Sequence, residues 1–184
     1  MKQKTILDKI CEFFLYFIMY AMIGWIYEIV LEVFIYKWGY SDRGVLTGPY
    51  CPVYGFGTLA FLFTIYPIIK NKKKLSERIL YIPLVFFGCM FIATAIELVT
   101  SYICEFFMGS WPWQTYLDYE YNFQGRIALS PSIRFGLGGT AFLYIIQPLF
   151  EKLTDVMGSK VVRNVATIVG IVFLSDVVYT FFIK

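Results

Sequence analysis

The chain has 184 residues, of which 59% are hydrophobic and 21% aromatic but only 16% charged, with a formal net charge of +3. Soluble domains average about 45–50% apolar and 25% charged residues, so this composition excludes an ordinary soluble enzyme or nucleic-acid-binding domain and describes an integral membrane protein. There is no histidine, and the four cysteines, Cys11, Cys51, Cys89 and Cys104, show no CxxC spacing. The commonest general base and metal ligand are therefore absent, and neither a zinc site nor a disulfide framework is expected. No catalytic residue, metal or cofactor is assigned.

In chain order, apolar runs predict about five transmembrane helices at roughly 13–36, 57–69, 79–107, 132–150 and 162–183. Spanning helices need about 20 apolar residues, so the second run is short and leans on the segment before it. The first run follows MKQKTILDK, is too long for a signal-peptide core and precedes no small-residue cleavage site, so it reads as retained. Eleven of the sixteen basic residues, in the N-terminal stretch, in KNKKK with Arg78, and at Lys152, Lys160 and Arg163, fall on one side of a five-span arrangement. By the positive-inside rule the N-terminus is cytoplasmic and the C-terminus external. KNKKK also suits anionic headgroups of the lipid bilayer, although a topology signal is the simpler reading.

The stretch RGVLTGPYCPVYGFGTLAFLFTIYP, residues 43–67, aligns without gaps on QGRIALSPSIRFGLGGTAFLYIIQP, residues 124–148, at a constant offset of 81, and eight of 25 positions are identical. Upstream, AMIGWIYEIVLE (21–32) lies beside MFIATAIELVTS (90–101), matching Glu28 to Glu97. Each copy reads as a helix carrying an acid, a Gly/Pro-rich external segment and a returning helix. The expected fold is thus an all-α membrane protein, one membrane domain over 1–184, with a parallel internal duplication of units 13–69 and 79–150 and an additional helix at 162–183. The paired glycines and prolines are expected to shape turns. Irregular backbone is tolerated at membrane depth only where protein buries it or it lines a wet cavity, so both broken segments are expected to be re-entrant or interfacial plugs.

Glu28, Glu97 and Asp176 lie past the midpoints of their predicted helices, on helices of one orientation. Intramembrane acids cost about 2.5–3.5 kcal/mol each even on mild insertion scales and mark candidate sites. Arg43, Arg126 and Arg134 on the plugs are their nearest candidate partners, either as latches or in a ligand or ion site. Ser101 shares the face of Glu97 at helical spacing. Glu32 and Glu105, nearer the boundary, are expected to snorkel to water. The aromatic residues of GSWPWQTYLDYEYN are expected to form an interfacial belt. Tyr50 and Cys51 resemble an activated-thiol arrangement, but no base accompanies them.

GWIYEIVLE, RGVLTGPYCPVYGFG, AIELVTSYICE and DYEYNFQGRIALSPSIRFG together resemble a family of bacterial membrane proteins known as putative ABC-transporter type IV proteins, over roughly residues 15–155. The family's motif residues fall on Gly24, Trp25, Glu28, Arg43, Gly44, Gly48, Pro49, Tyr50, Cys51, Pro52, Tyr54, Gly55, Glu97, Gly125 and Arg126. Arg134 departs from the pattern, and WPWQTYLDYE is looser than the family's compact run. The resemblance implies the permease part of a plasma-membrane transport system whose ATPase is a separate polypeptide.

The resulting expectation is a multi-pass permease-like component, not an enzyme. Its solute or ion site, between the two plugs and the acidic helices, would draw on Glu28, Arg43, Tyr50, Cys51, Glu97, Ser101, Arg126 and Asp176. Five spans are few for a complete pathway, which points to a homo-oligomer. Two alternatives come from other classes: a non-transporting scaffold or regulator, and a small membrane enzyme acting on a lipid headgroup.

Overall fold

The structure, a computed structural model, describes residues 4–41, 44–72 and 74–183. In chain order the elements are α1 (Ile6–Val30, ending in a π-helical turn Leu31–Ile35), α2 (Pro52–Thr64), α3 (Tyr66–Lys70), α4 (Leu75–Leu80) and α5 (Ile82–Met108). A 3₁₀ turn (Gln114–Asp118) and strands β1 (Asn122–Phe123) and β2 (Ile127–Ala128) follow. The rest is α6 (Leu129–Ala141), a π turn (Phe142–Ile146), α7 (Gln147–Val178) and a last π turn (Tyr179–Ile183). By length and composition three helical stretches can cross a membrane: Ile6–Ile35, Ile82–Met108 and Leu129–Ile183. The third, 55 residues long, is interrupted at Gly158, whose φ of 74° and ψ of 157° no helix contains. Pro52–Thr64, at 13 residues, is too short by itself for a hydrocarbon core of about 30 Å.

The chain divides into two compact units, residues 1–59 with 149–184, and residues 60–148. These boundaries differ from those of the aligned sequence repeats. In the first unit, α1 begins with a capping box in which Asp8 N–H donates to the Thr5 hydroxyl at 3.2 Å and Thr5 N–H donates to the Asp8 carboxylate at 2.8 Å. Leu15 packs with Val162 and Ala166, and one and a half turns on Ala21 packs with Leu46 and Tyr50. The mostly apolar α1 therefore buries one stripe in protein and leaves Ile10, Met22, Ile26 and Val30 exposed, the surface a bilayer covers.

In the second unit α5 and α6 approach closely because small residues line their contact. A Cβ on Gly139 would stand 2.7 Å from the Cβ of Cys89. The Thr94 hydroxyl donates to the Ser132 hydroxyl across the same contact at 2.8 Å. Strands β1 and β2 form a small antiparallel hairpin pairing Asn122 with Ala128 and Phe123 with Ile127. Gln124 and Gly125 both have positive φ, 55° and 64°, and Arg126 N–H closes the turn on Phe123 O at 3.0 Å. Such a turn requires left-handed residues at both central positions.

The glycines expected to shape turns divide by position. Gly44 and Gly125 have positive φ and lie in non-helical segments. Gly55, expected in the broken segment, lies inside α2, while Gly57, Gly136 and Gly138 lie inside α2 and α6, as the helices expected at 57–69 and 132–150 imply. A Cβ on Gly55 would stand 2.5 Å from the Phe17 ring, and one on Gly136 would stand 2.7 Å from the Phe86 ring, while Gly57 and Gly138 face open space. The first broken segment is accordingly shorter at its C-terminal end than the sequence suggests, because apolar neighbours and helix packing carry Gly55 as helix.

Candidate functional site

In the first unit, Asp176 on α7 holds the segment 47–50 through two main-chain amides and the Tyr50 hydroxyl. Its Oδ2 accepts from Gly48 N–H at 2.9 Å and from the Tyr50 hydroxyl at 2.6 Å, and its Oδ1 accepts from Thr47 N–H at 3.2 Å. Thr180, one turn on, donates to Oδ1 at 3.2 Å. Gly48 permits this turn, since a Cβ there would lie 2.4 Å from the Tyr50 ring. Burial, followed by the hydrogen bond to Asp176, pushes the Tyr50 phenol above its ordinary pKa. Cys51 is 5% exposed, and its N–H donates to Ala21 O at 3.0 Å. That burial hides the thiol from the reagent an activated nucleophile would meet.

Glu28 on α1 accepts from the Tyr54 hydroxyl. One turn before it, Gly24 makes room for the Tyr54 ring, whose Cγ lies 2.2 Å from where a Cβ would be. Glu32 does not snorkel to water: it is 5% exposed and accepts from the Ser41 hydroxyl at 2.7 Å and Ser41 N–H at 3.3 Å. The loop after the π turn folds back and supplies donors that periodicity cannot reveal. Arg43 lies outside the described residues.

The second unit builds its polar centre on α5. Glu97, 7% exposed, accepts from the Tyr116 hydroxyl at 2.8 Å. Arg126, expected beside Glu97, is held two turns further along. Its Nη2 donates to Glu105 at 2.5 Å and its Nη1 donates to the fully buried Ser101 hydroxyl at 3.4 Å. Its guanidinium lies 4.0 Å from the Tyr102 ring centroid and 4.2 Å from that of Trp111. Glu105 thus carries an ion pair instead of simply snorkelling. A planar cation stacked on two rings, with one Nη on a carboxylate and the other on a hydroxyl, is an arrangement lysine cannot reproduce.

Trp111 and Trp113 donate their indole N–H groups to Gly125 O at 2.9 Å and Arg126 O at 2.8 Å. Their sequence signal is that of an interfacial belt, yet they clamp the hairpin that presents Arg126. Tyr54, Tyr116, Tyr102, Glu105 and Trp111 are the members that sequence reasoning did not single out as site residues. In the sequence their signal is faint, since aromatic residues are common throughout this chain.

A third charged group lies where α1 begins. Lys4 pairs with Glu12 and, at 2.7 Å, with Asp155, while Arg163 pairs with Asp8 at 3.4 Å. Among the described residues, no three His, Cys, Asp or Glu side chains are grouped to hold a metal ion.

Among the described residues the arrangement offers buried and half-buried carboxylates that accept from main-chain amides and phenols, and the Arg126 guanidinium held against two rings. No curated protein and no solved structure matches the chain. A family model, however, covers residues 15–181, from the middle of α1 to the last π turn, and the chain therefore belongs to the family described as "Putative ABC-transporter type IV".

Proposed function

We propose that the chain is the non-enzymatic, permease-like membrane component of a bacterial transport system whose ATPase is a separate polypeptide. Family membership over nearly the whole chain carries this reading. It is supported by acids on apolar, membrane-length helices that bind non-helical segments, as Asp176 binds residues 47–50. In this proposal the bilayer is crossed five times, α2 and α3 together making the second crossing and Gly158 separating the last two. The N-terminus is cytoplasmic and the C-terminus external. The shared roles of Gly44 and Gly125, Gly55 and Gly136, and Gly57 and Gly138 support an origin by parallel duplication.

Solute or ion recognition is assigned to the polar residues of each unit: Glu28, Tyr50, Cys51 and Asp176 in one, Glu97, Ser101 and Arg126 in the other, with Arg43 on the first plug. A solute or proton reaching Asp176 competes with the Thr47 and Gly48 amides, which couples occupancy to release of that segment. The test is purification in mild detergent at natural expression level with mass spectrometry of bound proteins. A stoichiometric ATPase supports the permease reading, whereas a clean protein, alone or as a homo-oligomer, removes it.

A second reading, a non-transporting scaffold, is favoured by the occupation of the acids with internal hydrogen bonds. It predicts that Glu97→Gln lowers folding yield while Cys51 and Tyr50 substitutions leave function intact.

A further inference from the structure

Three tyrosines of the second unit each carry a cation over the ring. The Lys70 ammonium lies 5.5 Å from the Tyr66 ring centroid, the Lys72 ammonium 4.7 Å from that of Tyr81, and the Arg78 guanidinium 5.5 Å from that of Tyr144. The Tyr144 hydroxyl also donates to Arg78 O at 2.6 Å, which ties α4 to the π turn Phe142–Ile146. The fold thus places these cations.

Placement over rings leaves charge unneutralised. Among the described residues no carboxylate pairs with Lys72, Lys74 or Arg78, whereas Lys4, Arg126 and Arg163 each have an acid partner. The exposed Glu77, the acid of α4, pairs with none of the three. The Arg78 Nε is enclosed, but its two Nη groups are neither enclosed nor hydrogen-bonded, so the end of the fork is open to a ligand. Lys74, one turn before Arg78, is exposed on the same side of α4. A topology signal needs only the number of charges. It does not need cations laid on rings and kept clear of carboxylates.

The apolar residues around them select the partner. Leu75 and Ile79, one turn apart, are 71% and 54% exposed, and Leu80 is 78% exposed. Ile82–Met108, a stretch able to cross a membrane, starts two residues after α4 ends. The segment therefore lies where hydrocarbon meets headgroups, the level at which tyrosine collects. A bilayer lipid covers both kinds of residue, with its phosphodiester on the cations and its acyl chains on the leucines and isoleucine. A zwitterionic headgroup brings its own cation against the lysines, so an anionic one is preferred.

We propose that Lys72, Lys74 and Arg78 form a docking surface for an anionic phospholipid of the phosphatidylglycerol type. The inference is independent of the transport reading.

The test is native mass spectrometry of the full chain in detergent equilibrated with equal amounts of palmitoyl-oleoyl phosphatidylglycerol and phosphatidylcholine. Bound phosphatidylglycerol is expected to exceed bound phosphatidylcholine about tenfold, since each cation near an anionic lipid contributes a factor of about five before screening. Lys72→Gln/Lys74→Gln, at side chains with no hydrogen-bond partner to lose, is expected to reduce the ratio to about twofold. Lys152→Gln/Lys160→Gln removes the same charge from exposed positions of the first unit and is expected to leave the ratio unchanged. A wild-type ratio near one, an unchanged ratio in the Lys72/Lys74 variant, or an equal loss in the Lys152/Lys160 variant overturns the proposal. So does displacement of the lipid by polyglutamate, which would make the surface a seat for an acidic protein.

Discussion

The Tyr50 hydroxyl donates to Asp176 at 2.6 Å across 126 residues of chain, joining the end of a non-helical segment to the last helix. With the Thr47 and Gly48 amides and the Thr180 hydroxyl on the same carboxylate, removal of Asp176 takes the acceptor from four donors at once. Asp176→Ala is expected to destabilise the protein by about 1–3 kcal/mol, the penalty of unsatisfied polar groups. The more specific consequence is local. Cys51, next in the chain and 5% exposed, should become reactive to maleimide well before global unfolding, as followed by mass spectrometry of the Cys51 peptide. Unchanged Cys51 labelling would mean that Asp176 does not hold this segment.

Much of this was legible in the sequence, and the limits have physical causes. Glu28, Glu97 and Asp176 stand out because an acid within an apolar run is expensive, and Gly44 and Gly125 because they punctuate breaks. What the sequence hides is pairing at a distance. The sequence offers Arg126 to the mid-helix acids and leaves Glu105 to snorkel, and it is the hairpin turn at Gln124 and Gly125, clamped by Trp111 and Trp113, that brings Arg126 to Glu105. Glu32 looks like a boundary residue until the returning Ser41 covers it. Gly55 reads as part of the break because local composition does not say that α1, through Phe17, stands against it.

Tyr50 also gives a pH dependence. Its phenol has a folded-state pKa raised above the ordinary value of 10.0, by burial first and then by the bond to Asp176. The folded state therefore holds this proton more tightly than the unfolded state. Its contribution to stability is fully present below pH 10 and is lost as pH rises through the raised value. The thermal stability of the wild type relative to Tyr50→Phe should be constant from pH 7 to pH 9 and decline above about pH 10. A difference that grows in alkali would contradict the assignment.

Arg126→Lys tests the aromatic clamp. Lysine keeps the charge but loses the planar stack on Tyr102 and Trp111 and the fork that serves Glu105 and Ser101. A loss of about 1–3 kcal/mol is expected from the weakened charged hydrogen bonds and cation–π contacts, measured by thermal unfolding in detergent. Trp111 emission should change in the same variant, because its ring loses the guanidinium. Glu105→Gln, at a side chain that is 43% exposed, should cost less than Arg126→Lys. The reverse order would show that the ion pair, not the stack, holds this residue.

The glycine pairs provide the sharpest internal comparison, because each aligned pair makes the same prediction twice. Gly55→Ala drives a methyl into the Phe17 ring at 2.5 Å and its carbonyl oxygen at 2.8 Å, and Gly136→Ala drives one into the Phe86 ring at 2.7 Å. Overpacking of this kind costs about 1–3 kcal/mol, and Gly55 should suffer more because backbone yields less readily than a ring. Gly57→Ala and Gly138→Ala meet nothing within 4 Å, so only helix propensity acts, and each should stabilise by about 0.5–1 kcal/mol. Thermal unfolding of the four single variants in one detergent measures all of these. Opposite signs within either aligned pair would show that the matching positions do not share a packing role, and the case for a duplicated helix pair would lose its structural support.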